Sequence, residues 1–163
     1  MFNIYYMIKR WSTFNENSNS AKELISSKFL EVREVFLDFE DMGIISYSLV
    51  SPGFERGGYI SFDPKRGDVN RFLDFQLPVL ISTSELGTES KKLDKVCIIV
   101  DIKLPGESNE FGSTVIGNEG IRLFDDMLTA NSRLIESGYD VKLDLNASHG
   151  QYKPVKFLIY FDL

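Results

Sequence analysis

One cysteine, Cys97, one histidine, His149, and one tryptophan, Trp11, leave this 163-residue chain few of the side chains from which reactive sites are built. A lone cysteine excludes an internal disulfide and any multi-cysteine metal site. Cys97 lies in the run Val96-Cys97-Ile98-Ile99-Val100. There it reads as a small buried hydrophobe rather than a reactive thiol, which wants an exposed, electropositive setting. His149 falls in Ala147-Ser148-His149-Gly150-Gln151-Tyr152, between two expected strands. A triad or a metal site needs convergent partners, and the sequence offers His149 none. No catalytic set, metal site or cofactor is expected.

Excess basic charge is also missing. The formal net charge is −6 and the pI about 4.9. Residues 1–82 carry 9 basic and 11 acidic side chains, and residues 83–163 carry 9 and 13. Neither half is a basic module, so nucleic acid is not the expected partner, because its binding begins with a cationic surface that displaces counterions. Long apolar runs are absent too. Nothing approaches the roughly 20 apolar residues of a membrane helix. Lys9 and Arg10 follow the apolar start of the chain, the reverse of a secretory signal. The expectation is a cytoplasmic chain with no membrane partner.

Hydrophobic residues make up 43% of the chain and aromatics 13%, enough for a core. The length fits a single domain over 1–163. Phe2 to Ile8 reads as a first strand. Ser20-Ala21-Lys22-Glu23 has capping-box spacing. Leu24, Ile25, Phe29, Val32, Val35, Phe36, Phe39 and Met42 then follow in steps that place one stripe on a helix, ended by Gly43. Residues 45–49 and 59–62 read as strands. Leu73, Phe75, Leu77, Val79 and Ile81 fall at a spacing of two, which predicts a further strand, with Pro78 at an edge or bulge. Residues 82–92 are polar and read as a connection.

Residues 96–104 form the clearest strand, followed by a glycine-containing loop over 105–117. Ile121, Phe124, Leu128 and Ile135, flanked by Leu123, Met127 and Leu134, predict a second amphipathic helix. Gly138 ends it. Residues 139–145 and 155–161 alternate as strands. The halves 1–82 and 93–163 therefore share one order: strand, loop, helix, glycine, strand, turn, strand. The predicted architecture is α/β (α+β): an antiparallel or mixed sheet with two helices on one face, built from pseudo-duplicated βαββ units. Tandem βαββ units of about this length also occur in the GyrI-like small-molecule-binding proteins. That analogy is one of fold alone, and it implies a ligand cleft between the halves.

Trp11 beside Lys9 and Arg10 has the character of an interface anchor. With His149 and Tyr152 it makes up the candidate binding residues. Asp125 and Asp126 are adjacent on a helix and point about 100° apart, so they form no carboxylate pair. Glu40-Asp41 and Glu136 sit at helix ends and read as solvated surface. Taken together, the residues predict a non-enzymatic, acidic protein-interaction module of the inhibitor, immunity or accessory-factor kind, whose protein partner is basic. The alternatives are a small-molecule sensor with its ligand between the two halves, and a structural subunit of a larger assembly. An enzyme built on backbone and scattered polar groups ranks third, after the sensor.

Overall fold

In a computed structural model, four helices and seven strands run in the order α1 (Ile4–Val35), α2 (Leu37–Met42), β1 (Ile45–Val50), β2 (Ser61–Phe62), α3 (Val69–Glu85), β3 (Lys95–Ile102), β4 (Gly106–Ser108), β5 (Thr114–Ile116), α4 (Asn118–Glu136), β6 (Asp140–Asp144) and β7 (Val155–Asp162). The structure describes residues 4–85, 93–104, 106–108, 114–116, 118–144 and 155–163, with side chains for 20–81, 93–104, 118, 120–144 and 155–163. Five strands make an antiparallel sheet in the order β2-β1-β3-β7-β6, and β4 and β5 pair separately as a hairpin.

The architecture is α+β as the sequence predicts, and of the antiparallel and mixed sheets it left open the structure shows the antiparallel one. Its continuous apolar strand, β3, lies at the centre and is paired along its full length with β7, from Lys95 opposite Asp162 to Ile102 opposite Val155. Alternation sorts the sheet into two faces. One face carries Ile45, Tyr47 and Leu49 of β1, Val96, Ile98, Val100 and Ile102 of β3, and the odd-numbered residues 155–161 of β7. Helices α1, α3 and α4 cover this face, with α1 packed against both of the others. Phe29, Phe36, Phe62, Phe72 and Phe157 join Tyr47 in the interior, and Phe36 meets Phe157 edge-on at 5.0 Å between ring centroids. Buried edge-to-face pairs of this kind contribute beyond their area.

Gly43 ends α2 in the left-handed region, φ 69°, and its N–H donates to the Glu40 carbonyl at 2.9 Å, the cap expected from sequence. The Lys65 side chain lies across the space that a Cβ at Gly43 would need.

Four expectations are corrected. The expected first strand is helical: residues 4–8 belong to α1, which runs unbroken through Ser20, so no capping box forms there. Ile4, Ile8 and Trp11 satisfy helical spacing as well as Phe2 to Ile8 resembles a strand. The expected strand over 73–81 is helix α3. Phe72, Leu73, Gln76, Leu77 and Leu80 complete a buried helical stripe, while Phe75 and Val79 are exposed and made the spacing of two a coincidence. Asp68 starts this helix, accepting from the N–H of Asn70 at 2.7 Å. The helical layer therefore holds more than the expected two helices. Finally, the second half does follow the order strand, helix, strand, strand, with the β4–β5 hairpin inserted in its loop, but the first half does not. Tandem βαββ units, and the cleft between them, do not form.

Candidate functional site

Helix α1 ends at Val35, and the chain turns at Phe36 before α2 begins. The inward side of this joint is fixed by Val32, Phe36 and Phe39, all buried. The outward side is not apolar-free. Leu30, Leu37 and Met42 are exposed by 41%, 46% and 44%. Around them stand Glu31, Glu34, Asp38 and Asp41, all exposed. Lys28 reaches Glu31 only at 3.8 Å, an exposed pair of little consequence. Glu34, Asp38 and Asp41 form no ion pair among the described residues.

The basic residue in the segment, Arg33, is already engaged. Its guanidinium meets Glu40 at 2.9 Å and at 3.0 Å to each carboxylate oxygen through Nε, and it lies over the Phe62 ring. The Tyr47 hydroxyl donates to the same carboxylate. Glu40 is thus not the solvated helix-end residue its position suggested; its side chain is 8% exposed. The network neutralises Glu40 and leaves the remaining carboxylates of the joint to face solvent. Burial, and then the Glu40 charge, raise the Tyr47 hydroxyl well above its ordinary value, so it stays a proton donor.

The opposite face of the sheet presents a second arrangement. The strand register sets Ser46, Asp101, Lys156 and Asp144 side by side across β1, β3, β7 and β6. Loop 51–60 folds over the middle of this face, where Val50, Cys97 and Ile99 are buried against Tyr59, Leu158 and Tyr160. Tyr160 donates its hydroxyl to Glu55 at 3.1 Å, and Lys156 donates to the Tyr59 hydroxyl at 3.0 Å. Beside the loop lies an open depression of about 420 Å³ whose polar lining is Ser46, Asp101, Lys103 and Lys156. Asp101 Oδ1 is buried there without a hydrogen bond, and Lys156 Nζ stands 3.9 Å away. Burial raises the Asp101 carboxyl above its usual range, and Lys156 draws it back only in part.

Of the residues singled out from the sequence, Cys97 is fully buried, and burial pushes its thiol up to about 12. Trp11 lies on helix α1, not at the end of a strand, and its side chain is outside the described residues. His149 and Tyr152 lie outside them as well. The sequence reading passed over Leu30 and Leu37. Their signal was available: two leucines seven apart, off the buried stripe and among acids. No group of three or more His, Cys, Asp or Glu among the described residues is placed to hold a metal ion, and no helix among them is long and apolar enough to cross a membrane. No protein-family model matches the chain, and no curated protein or solved structure is found to be similar to it.

Proposed function

We propose that the chain is a non-enzymatic, acidic protein-interaction module that meets a basic partner through the outward face of the α1–α2 joint. One observation carries this reading: Leu30, Leu37 and Met42 are uncovered, and the carboxylates of Glu34, Asp38 and Asp41 beside them have no ion-pair partner among the described residues. Apolar contacts ringed by charge are the usual anatomy of a protein interface. Complementary charge steers the encounter and selects the partner, while the leucines exclude water from the contact. A net charge of −6 acts in the same direction over longer range.

The test is capture from lysate of the host cells with the full chain and with the triple variant Glu34→Lys, Asp38→Lys, Asp41→Lys. A basic protein retained by the wild type should be lost with the variant. It should also weaken as salt rises from about 50 to about 500 mM, where screening shortens to a few ångströms. Equal capture by both proteins at both salt concentrations would sink the reading.

The depression at Asp101 favours a second reading, a small-molecule-binding role. Its volume is in the range of ligand sites, and Asp101 Oδ1 offers an unused acceptor. It ranks second because the depression is open and no Phe or Tyr lines it, whereas ligand pockets enclose most of the ligand. A ligand that co-purifies with the wild type, is seen by native mass spectrometry and is lost from Asp101→Asn would reverse the order.

A further inference from the structure

Helix α4 buries a different face from the one its large side chains predict. Gly120, Leu123, Met127, Ala130 and Leu134 point into the core. Ile121, Leu128 and Ile135, expected on the core stripe, are exposed by 58%, 54% and 53%. Phe124 is half-buried beside them. The three exposed residues are seven apart, so they form one ridge about 21 Å long. Isolated apolar residues on a surface are ordinary, but three in line on one helix face, with half-buried Phe124 between the first two, mark a contact.

From this ridge and its flank we infer that α4 pairs antiparallel with α4 of a second copy of the chain, about a two-fold axis at Leu128. The ridge reads the same in both directions. Ile121 meets Ile135 of the second copy, Leu128 meets itself, and Ile135 meets Ile121. An isologous interface demands this kind of self-complementarity. The solvent flank of the ridge supplies the polar half of the match. Along the helix it runs Arg122, Asp125, Thr129, Ser132, Glu136, all exposed. The two-fold axis keeps this flank on the same side in both copies and reverses its order. Arg122 then comes within a turn of Glu136 of the second copy, and the Asp125 carboxylate faces the Ser132 hydroxyl. The two-fold of a parallel pair would instead put this flank on opposite sides of the two copies and hold Arg122 and Glu136 about 21 Å apart along the axis, so that charge pair would not form. The charge order thus selects both the partner and its direction. This surface shares no residue with the α1–α2 joint, and pairing through it would give an assembly that carries two such joints.

The experiment is sedimentation velocity on the full chain over a range of concentrations. A monomer–dimer equilibrium is expected. Leu128→Glu places two carboxylates on the axis and should weaken dimerisation by roughly a hundredfold or more. Arg66→Gln, in the exposed turn between β2 and α3 at the opposite sheet edge from β6, on which α4 packs, should leave it unchanged. Arg122→Glu should weaken the dimer, and adding Glu136→Arg should restore it. Leu128→Cys should form a disulfide-linked dimer on mild oxidation, since the one native thiol, Cys97, is buried. Ile121→Cys should not cross-link to itself, because an antiparallel pair holds the two copies of residue 121 at opposite ends. Circular dichroism confirms that each variant is folded. A chain that stays monomeric at all concentrations, a dimer indifferent to Leu128→Glu, or self-linking of Ile121→Cys would each overturn the inference. Loss of partner capture by the charge-reversed α1–α2 variant would be unaffected by any of these results.

Discussion

Tyr47 and Glu40 are joined by a 2.9 Å hydrogen bond that ties strand β1 to the short helix α2, with Arg33 of α1 closing the other side of the carboxylate. Three elements thereby converge on one charge. Removing a partner from such a group costs more than the pair itself contributes, because the remaining charge is left desolvated.

Arg33→Met should therefore destabilise the fold by about 2 kcal/mol, less than a fully buried pair would lose because the arginine keeps partial contact with solvent. The double variant Arg33→Met, Glu40→Gln, which removes the charge but keeps an acceptor for the Tyr47 hydroxyl, should recover most of that loss. Urea unfolding of the two single variants and the double variant gives the coupling directly. Additive losses would show that the two groups act independently.

Phe36→Ala should cost roughly 3–5 kcal/mol. Phe36 is fully buried and packs on both Phe39 and Phe157, so its loss opens a cavity between the helical layer and the sheet. A shift of under about 1 kcal/mol in the unfolding free energy would show that the site collapses around the smaller side chain or that the stripe does not face the sheet.

Cys97 should be inert in the native state. Burial first, and the nearby Glu55 charge second, hold its thiol at about 12, so the thiolate is scarce at neutral pH. A thiol reagent at about pH 8 should label it only at the rate of global unfolding, and faster in urea. Rapid stoichiometric labelling of the native protein would contradict this.

Asp101 should give the stability curve a slope of opposite sign to that of most surface carboxylates. Its carboxyl lies above the ordinary 3.8 because burial opposes its charge. The folded state therefore holds the proton more tightly than the unfolded state. The stability it contributes is present below the unfolded value and is lost as pH rises through the folded one. Asp101→Asn, which carries no charge, should gain on the wild type as pH rises from the unfolded carboxyl's range through the folded one, and then hold level. Urea midpoints for both proteins at several pH values measure the difference; a difference independent of pH would remove Asp101 from the account.

The sequence announces some elements and hides others for identifiable reasons. Residues 96–100 are apolar without a break, the mark of a central strand, and β3 is central. Ile25, Phe29 and Val32 mark the buried side of α1, and Phe36 continues it at the turn into α2, because every one of them is buried in the core. In α3 the same reasoning failed, since Phe75 and Val79 are apolar yet exposed and so imitated a strand. In α4 it found the helix but chose the wrong face. The inward side there includes Gly120 and Ala130, small residues that let the helix lie close to its neighbours, whereas periodicity is judged by large side chains. The α1–α2 joint was missed because its acids were read singly. Their meaning depends on Arg33 being taken by Glu40, a pairing across the turn at Phe36 that the spacing of apolar residues does not show.

The sheet order also dictates when folding can finish. Strand β7 lies between β3 and β6, although it comes after both in sequence. A nascent chain can form α1, pair β1 with β3 and begin to pack its helices. It cannot close the sheet until residues 155–162 have left the ribosome. Until then one edge of Val96–Ile102, the most apolar segment in the chain, is an unpaired template for strand addition. Synthesis at roughly 5–20 residues per second leaves that edge open for seconds after β3 emerges. Chains arrested before β7 would therefore aggregate through β3, and the step that protects the molecule is the last one to occur.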